Sequence, residues 1–252
     1  MSTDSAIIIG GGIGIGYAAA RRFLGRGLDV GRSGRRPERL ADAQRVLAEE
    51  FPERRVEAAA ADAGVEQEAH RSMAELVAAI GVPRAFVNCA GTFEAVDFVD
   101  LTEQSWRGTM QTTLDSCVYP TAAIARLMKE RGSGRIILIG STSGVLSEPG
   151  TAPYCAAKAA IHSLVRSLTV DLAGAGIQSN AVAPGWVHTE LNDDFVSSAD
   201  PKSLASINPM GRIGQADEVA NLVEYLGLDA PDYLCGATLI IDGGQTGFAP
   251  LI

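Results

Sequence analysis

The stretch "IIIGGGIGIGYAAARRFL", Ile7 to Leu24, decides how the rest of the chain is read. Three isoleucines run into glycines at 10, 11, 12, 14 and 16, and then into an alanine-rich run. A short apolar strand, a loop nearly free of side chains and the start of a helix follow one another. Glycines at 10, 14 and 16 make the pattern G-x-x-x-G-x-G. That spacing permits a tight turn, a close approach of backbone to a pyrophosphate, and close packing of helix on strand. The unbonded N–H groups at the helix start then face an anion. Gly10, Gly12, Ile13, Gly14 and Ile15 are therefore the expected phosphate-binding segment.

The rest of the chain repeats the alternation. Strands are predicted at 6–10, 28–33, 55–61, 84–90, 134–140, 176–184 and 236–244, and helices at 15–26, 37–50, 65–80, 102–131, 151–173 and 215–227. Ile136, Ile137, Leu138 and Ile139 leave no polar face, the sign of a strand covered on both sides. "LDVGRS" (28–33) is a weak strand, because Asp29 and Gly31 are poor strand formers; its place in the alternation retains it. Proline and glycine are expected between elements. The expected fold class is α/β, a doubly wound seven-stranded parallel sheet with helices on both faces. The chain has 252 residues, enough for one such domain, and no linker or repeat divides it. Residues 190–212 form the least regular long segment and are the expected substrate lid, with Trp186 beside them as a pocket residue.

Composition removes several function classes. Hydrophobic residues make up 46% and charged residues 20%, as in a soluble globular protein. A net charge of −9 argues against nucleic acid, whose phosphates need a basic footprint. The four cysteines, at 89, 117, 155 and 235, form no C-x-x-C. They read as reduced thiols of a cytoplasmic protein rather than as disulfides or zinc ligands. Three scattered histidines give no metal site. No basic leader and no run of 18 apolar residues appears, so no membrane segment is expected.

The end of the second strand bears on which nucleotide binds. An acidic residue there would hold the ribose 2′-hydroxyl of NAD. Here the sequence reads "SGRRPERL", and Arg35 and Arg36 stand in its place. Two guanidiniums suit a 2′-phosphate, so NADP is expected, with NAD the alternative.

"YCAAK" places Tyr154 and Lys158 one turn apart on one helix face. A free phenol ionises near pH 10, about 4 kcal/mol away from ionising at neutrality. An exposed ion pair supplies at most about 1 kcal/mol. A charge about 4 Å away at an effective dielectric near 20 supplies about 4 kcal/mol. A lysine one turn along is such a charge.

Order and spacing together resemble the short-chain dehydrogenase/reductase family over essentially the whole chain. Its T-G-x-x-x-G-x-G appears as "IGGGIGIG" (9–16), with Ile9 for the threonine. Its N-N-A-G appears as "NCAG", which keeps Asn88, Ala90 and Gly91 and carries Cys89 for the second asparagine. Asp62, with Ala63 beside it, stands where the family contacts adenine. Ser141 lies thirteen residues before Tyr154, as the family's serine does, and Y-x-x-x-K is Tyr154 to Lys158. Pro184 and Gly185 match the family's P-G, with Val187 and Thr189 following toward the nicotinamide. "LIIDGG" closes the match. One position departs. The family's asparagine, seven residues beyond a tryptophan, is Thr113 here, counted from Trp106.

The resemblance implies a Rossmann fold and hydride transfer between NADP(H) and a ketone or secondary alcohol. Tyr154 would be the acid/base. Lys158 would lower its pKa and grip the nicotinamide ribose, and Ser141 would orient the substrate oxygen. Thr113 would take the position of the proton-relay asparagine. Members similar to this chain include 3-oxoacyl carrier-protein reductases and reductases of secondary alcohols, sugars and polyketides. A homotetramer is implied, with one interface built on the helices at 102–131 and 151–173. Two alternatives stay open: an NAD(H)-dependent alcohol dehydrogenase, and a nucleotide-binding regulatory protein with impaired turnover, for which Thr113 is the main support.

Overall fold

The structure is a computed structural model that describes residues 4–190 and 206–247. Most of the expected lid at 190–212 lies outside the described residues. In chain order the strands are β1 (Ser5–Ile9), β2 (Asp29–Gly34), β3 (Val56–Ala60), β4 (Ala85–Asn88), β5 (Gly134–Ile139), β6 (Ile177–Pro184), β7 (Val187–His188), β8 (Gly214–Gln215) and β9 (Thr238–Ile241). Seven of them form one parallel sheet in the order β3-β2-β1-β4-β5-β6-β9, the doubly wound arrangement expected. The pair β7–β8 is separate and was not expected. Two residues per strand leave no hydrophobic pattern to read.

The helices are α1 (Gly14–Gly25), α2 (Pro37–Glu50), α3 (Glu66–Ile80), α4 (Glu103–Met110), α5 (Ser116–Arg131), α6 (Ala152–Leu172) and α7 (Ala216–Leu228). They cover both faces of the sheet, and the pleat of β1 shows how. Ala6 and Ile8 pack in one layer with Phe23, Leu24 and Val223. Ile7 and Ile9 pack in the other with Leu76, Ile80 and Ile124. Both faces of the strand are dry, so both are apolar.

The weak strand at 28–33 is real, and tertiary contacts make it so. Asp29 is buried, but its carboxylate accepts the Arg55 backbone N–H at 3.0 Å and its guanidinium at 2.8 Å. Gly31 lets α3 lie close to the sheet. A Cβ there would come within 3.0 Å of Ile80 Cδ1 and 3.1 Å of Leu76 Cδ2.

The single helix expected at 102–131 is instead α4, a π turn (Gln111–Asp115) and α5. Pro120 lies inside α5, which corrects the expectation that prolines fall between elements. Such turns insert a residue and re-aim the side chains of one face. Here the turn carries Thr112 and Thr113. Among the described residues no helix is long and apolar enough to cross a membrane, and no cluster of His, Cys, Asp or Glu could hold a metal ion.

Candidate active site

β1 leads to β2 on one side of the sheet, and β4 lies on its other side. Ligands of open α/β sheets bind at the strand carboxyl ends where the order reverses in this way. A cleft of about 810 Å³ opens there.

Its floor is the glycine loop. Gly10 and Gly14 have φ of 76° and 56°, the left-handed region that glycine enters without strain. A Cβ at Gly16 would collide with the Gly10 carbonyl. Gly10, Gly12, Ile13, Gly14 and Ile15, the expected phosphate-binding segment, all line the cleft. Beneath them lies a residue that the sequence did not single out. Arg32 is fully buried, and its guanidinium donates to Gly11 O at 3.1 Å and Leu40 O at 3.0 Å. It thereby ties the loop to α2, and burial pulls its pKa down to about 10. An arginine inside a weak strand carries no signal of this role. The loop also meets an acid: Gly14 N–H donates to Glu190 Oε2 at 3.0 Å.

At one end of the cleft stand Arg35, Arg36, Asp62 and Ala63, joined by Arg39 one turn into α2. All three arginines are exposed. Arg39 was missed because it reads as one more charge on an amphipathic helix. At the other end Ala90, Gly91, Ser141, Tyr154, Lys158, Pro184, Gly185, Val187 and Thr189 line the wall. Trp186 lines it too, as expected, together with Phe93 and Glu148, which were not singled out. Gly185 is needed for close approach, because a Cβ there would lie 2.8 Å from Asp242 Cβ.

Lys158 is buried, and its Nζ donates to Ile139 O at 2.8 Å. The same Nζ stands 5.5 Å from the centroid of the Tyr154 ring, against which Phe93 packs edge-on at 5.5 Å. Ser141 follows β5, and its Oγ accepts the Ser143 N–H at 3.1 Å.

Two predicted residues do not line the cleft. Asn88 is buried behind the wall, donating to Ser116 O and accepting from Ala90 N–H. Thr113 is also buried, and its Oγ1 donates to Thr92 O at 3.4 Å. Thr112 and Ser116 take its place on the wall. Thr113 is still near the charge. A Cβ at Gly91 would lie 3.4 Å from Lys158 Nζ and 3.8 Å from Thr113 Oγ1.

This set fits a nicotinamide dinucleotide. The left-handed glycines admit a pyrophosphate to the backbone, the arginines face one end, and the Tyr–Lys pair faces the other.

A family model described as enoyl-(acyl carrier protein) reductase matches residues 11–246. Galactitol 2-dehydrogenase (L-tagatose-forming) of Cereibacter sphaeroides is 32% identical, over 96% of this chain and 94% of its own. The 3-oxoacyl-[acyl-carrier-protein] reductase of Chlamydia trachomatis is 29% identical over 96% of each. The crystal structure of a gluconate 5-dehydrogenase from Burkholderia cenocepacia, in complex with NADP and tartrate, superposes with a TM-score of 0.91. It is 32% identical, covering 99% of this chain and 97% of that one. The chain belongs to the short-chain dehydrogenase/reductase family of NAD(P)-dependent oxidoreductases.

Proposed function

We propose that the chain interconverts a ketone and a secondary alcohol using NADP(H), with Tyr154 as the acid/base. The observation that carries this reading is the convergence of Ser141, from the end of β5, with Tyr154 and Lys158 of α6 on one wall of the cleft. A bound nicotinamide supplies the hydride chemistry that no side chain can provide. In reduction, Tyr154 donates its hydroxyl proton to the substrate oxygen, and Ser141 hydrogen-bonds that oxygen as negative charge develops. In oxidation the same tyrosine takes the proton back.

Lys158 is held by Ile139 O, so its ammonium is fixed beside Tyr154. A fixed charge near the ring stabilises the charge left on the phenol oxygen when the proton moves, without reorganisation. Thr113 shares the space beside Gly91 with Lys158 Nζ, and we assign it the relay position. Arg35 and Arg36 favour NADP over NAD, with Arg39 in support. The same reading takes a small-molecule carbonyl or alcohol as substrate, residues 190–212 as its lid, and a cytoplasmic homotetramer. Exposed Trp106 on α4 and Val170 on α6 support burial of those helices in an assembly.

Tyr154→Phe removes one oxygen atom. Cofactor-dependent turnover is expected to fall by about 10²–10⁴ while NADPH still binds. A wild-type rate in that variant would overturn the assignment.

A further inference from the structure

We propose that Glu148 is a specificity-determining residue, admitting uncharged hydroxyl-bearing substrates and turning away carboxylates. The proposal rests on the reading of Ser141 and Tyr154 above. Glu148 lines the cleft together with those two residues, Phe93 and Trp186. The three arginines leave the far end of the cleft positive despite Asp62, whereas at this end Glu148 is the one carboxylate among the described lining residues and stands with Lys158.

The carboxylate is not on a loose loop. Thr151 Oγ1 donates to Glu148 O at 2.6 Å and accepts the Glu148 N–H at 3.2 Å. Gly150 O accepts the Val96 N–H at 2.8 Å, which joins this turn to the segment carrying Phe93. Glu148 Oε1 accepts the Trp186 indole N–H at 3.2 Å. The indole bond orients the head group, and an ionised carboxylate offers about four acceptor sites and no donor. It therefore pairs with substrate O–H groups and repels a substrate carboxylate. Among the described residues Lys158 is the one cation on the wall beside Tyr154, and it is engaged with Ile139 O. A substrate carboxylate would meet Glu148 with no arginine to hold it. A substrate ammonium would meet Lys158.

The test uses the full chain with NADPH and three series of ketones on one carbon skeleton. These are ketohexoses, the keto-aldonates with a terminal carboxylate, and aminodeoxyketoses with an ammonium. The wild type is expected to favour the neutral series over the carboxylates by more than tenfold in kcat/KM. Glu148→Gln narrows that ratio about tenfold by improving the carboxylates, and Glu148→Arg inverts it. NADPH fluorescence titration of both variants verifies that the cofactor half is intact. A ratio unmoved by both substitutions overturns the proposal, and so does a wild-type preference for the ammonium series. If none of the three series reacts but a simple aryl ketone is reduced, the proposal alone falls. If no ketone oxidises NADPH, the reading of the site falls with it.

Discussion

Asn88 Nδ2 donates to the Ser116 carbonyl at 2.9 Å, and the reason lies four residues further on. Residue 120 is proline, which has no N–H to offer that carbonyl within the helix. The amide of Asn88 takes the position the helix leaves open. Its Oδ1 accepts the Ala90 N–H at 3.0 Å, so one side chain ties the end of β4 to the cleft wall.

Asn88→Ala leaves two backbone groups without partners, which costs about 1–3 kcal/mol for each group that stays buried. Urea unfolding should show the loss. In a Pro120→Ala background the helix supplies its own N–H, and the cost of Asn88→Ala should shrink by about 1 kcal/mol. Equal costs in the two backgrounds would break the link between the two residues.

Glu190 accepts the N–H of Gly14 at the start of α1, where a dinucleotide phosphate is expected to sit. The carboxylate and a phosphate compete for one donor and repel each other. Glu190→Gln should tighten NADPH binding by roughly fivefold, since one exposed unit charge at about 4 Å in water is worth about 1 kcal/mol. Fluorescence titration reads this directly, and weaker binding in the variant would contradict it.

Arg35, Arg36 and Arg39 stand together at one end of the cleft. Removing one charge-assisted contact to a 2′-phosphate costs about 1.5–3 kcal/mol, tenfold or more in Kd. Arg35→Ala, Arg36→Ala and Arg39→Ala should each weaken NADPH while leaving NADH nearly unchanged. Parallel losses for both cofactors would place these residues elsewhere than at the 2′-phosphate. Arg35→Asp should reverse the preference.

His162 lies one turn beyond Lys158, against Gly140 and Gly144, where no Cβ would fit. Burial, helped by the charges of Lys158 and Arg166, pushes its pKa below the ordinary 6.5. The unfolded chain binds a proton near pH 6.5 that the folded chain does not, so stability falls as the pH drops below that value. The loss is at most about 1.4 kcal/mol per pH unit, and it ends where the folded state takes up the proton. His162→Gln should therefore lose less stability than the wild type between pH 7.5 and 5.5 in urea unfolding. Equal losses would assign the acid sensitivity to other groups.

Local pattern carried much of this. Glycines need no context to permit left-handed turns, and apolar runs such as Ile136–Ile139 need none to demand burial on both faces. The alternation of strands and helices, the glycine loop and the Tyr154–Lys158 face were legible for that reason. Side chains that act across the fold were not. Glu148 and Trp186 are 38 residues apart, and Gly14 and Glu190 are 176 apart. No periodicity links such pairs.

Sequence by itself determined that this chain forms a doubly wound parallel sheet with a dinucleotide loop, because periodicity and glycine spacing are local properties. Tertiary structure decided the rest. It buried Arg32 beneath the loop, put a π turn into a helix that reads as continuous, and moved Thr113 and Asn88 behind the wall. It also brought Glu148 to Trp186 on the wall of the cleft. Each of these depends on which backbone and side-chain groups meet after folding, and on which polar groups must then find partners out of reach of water.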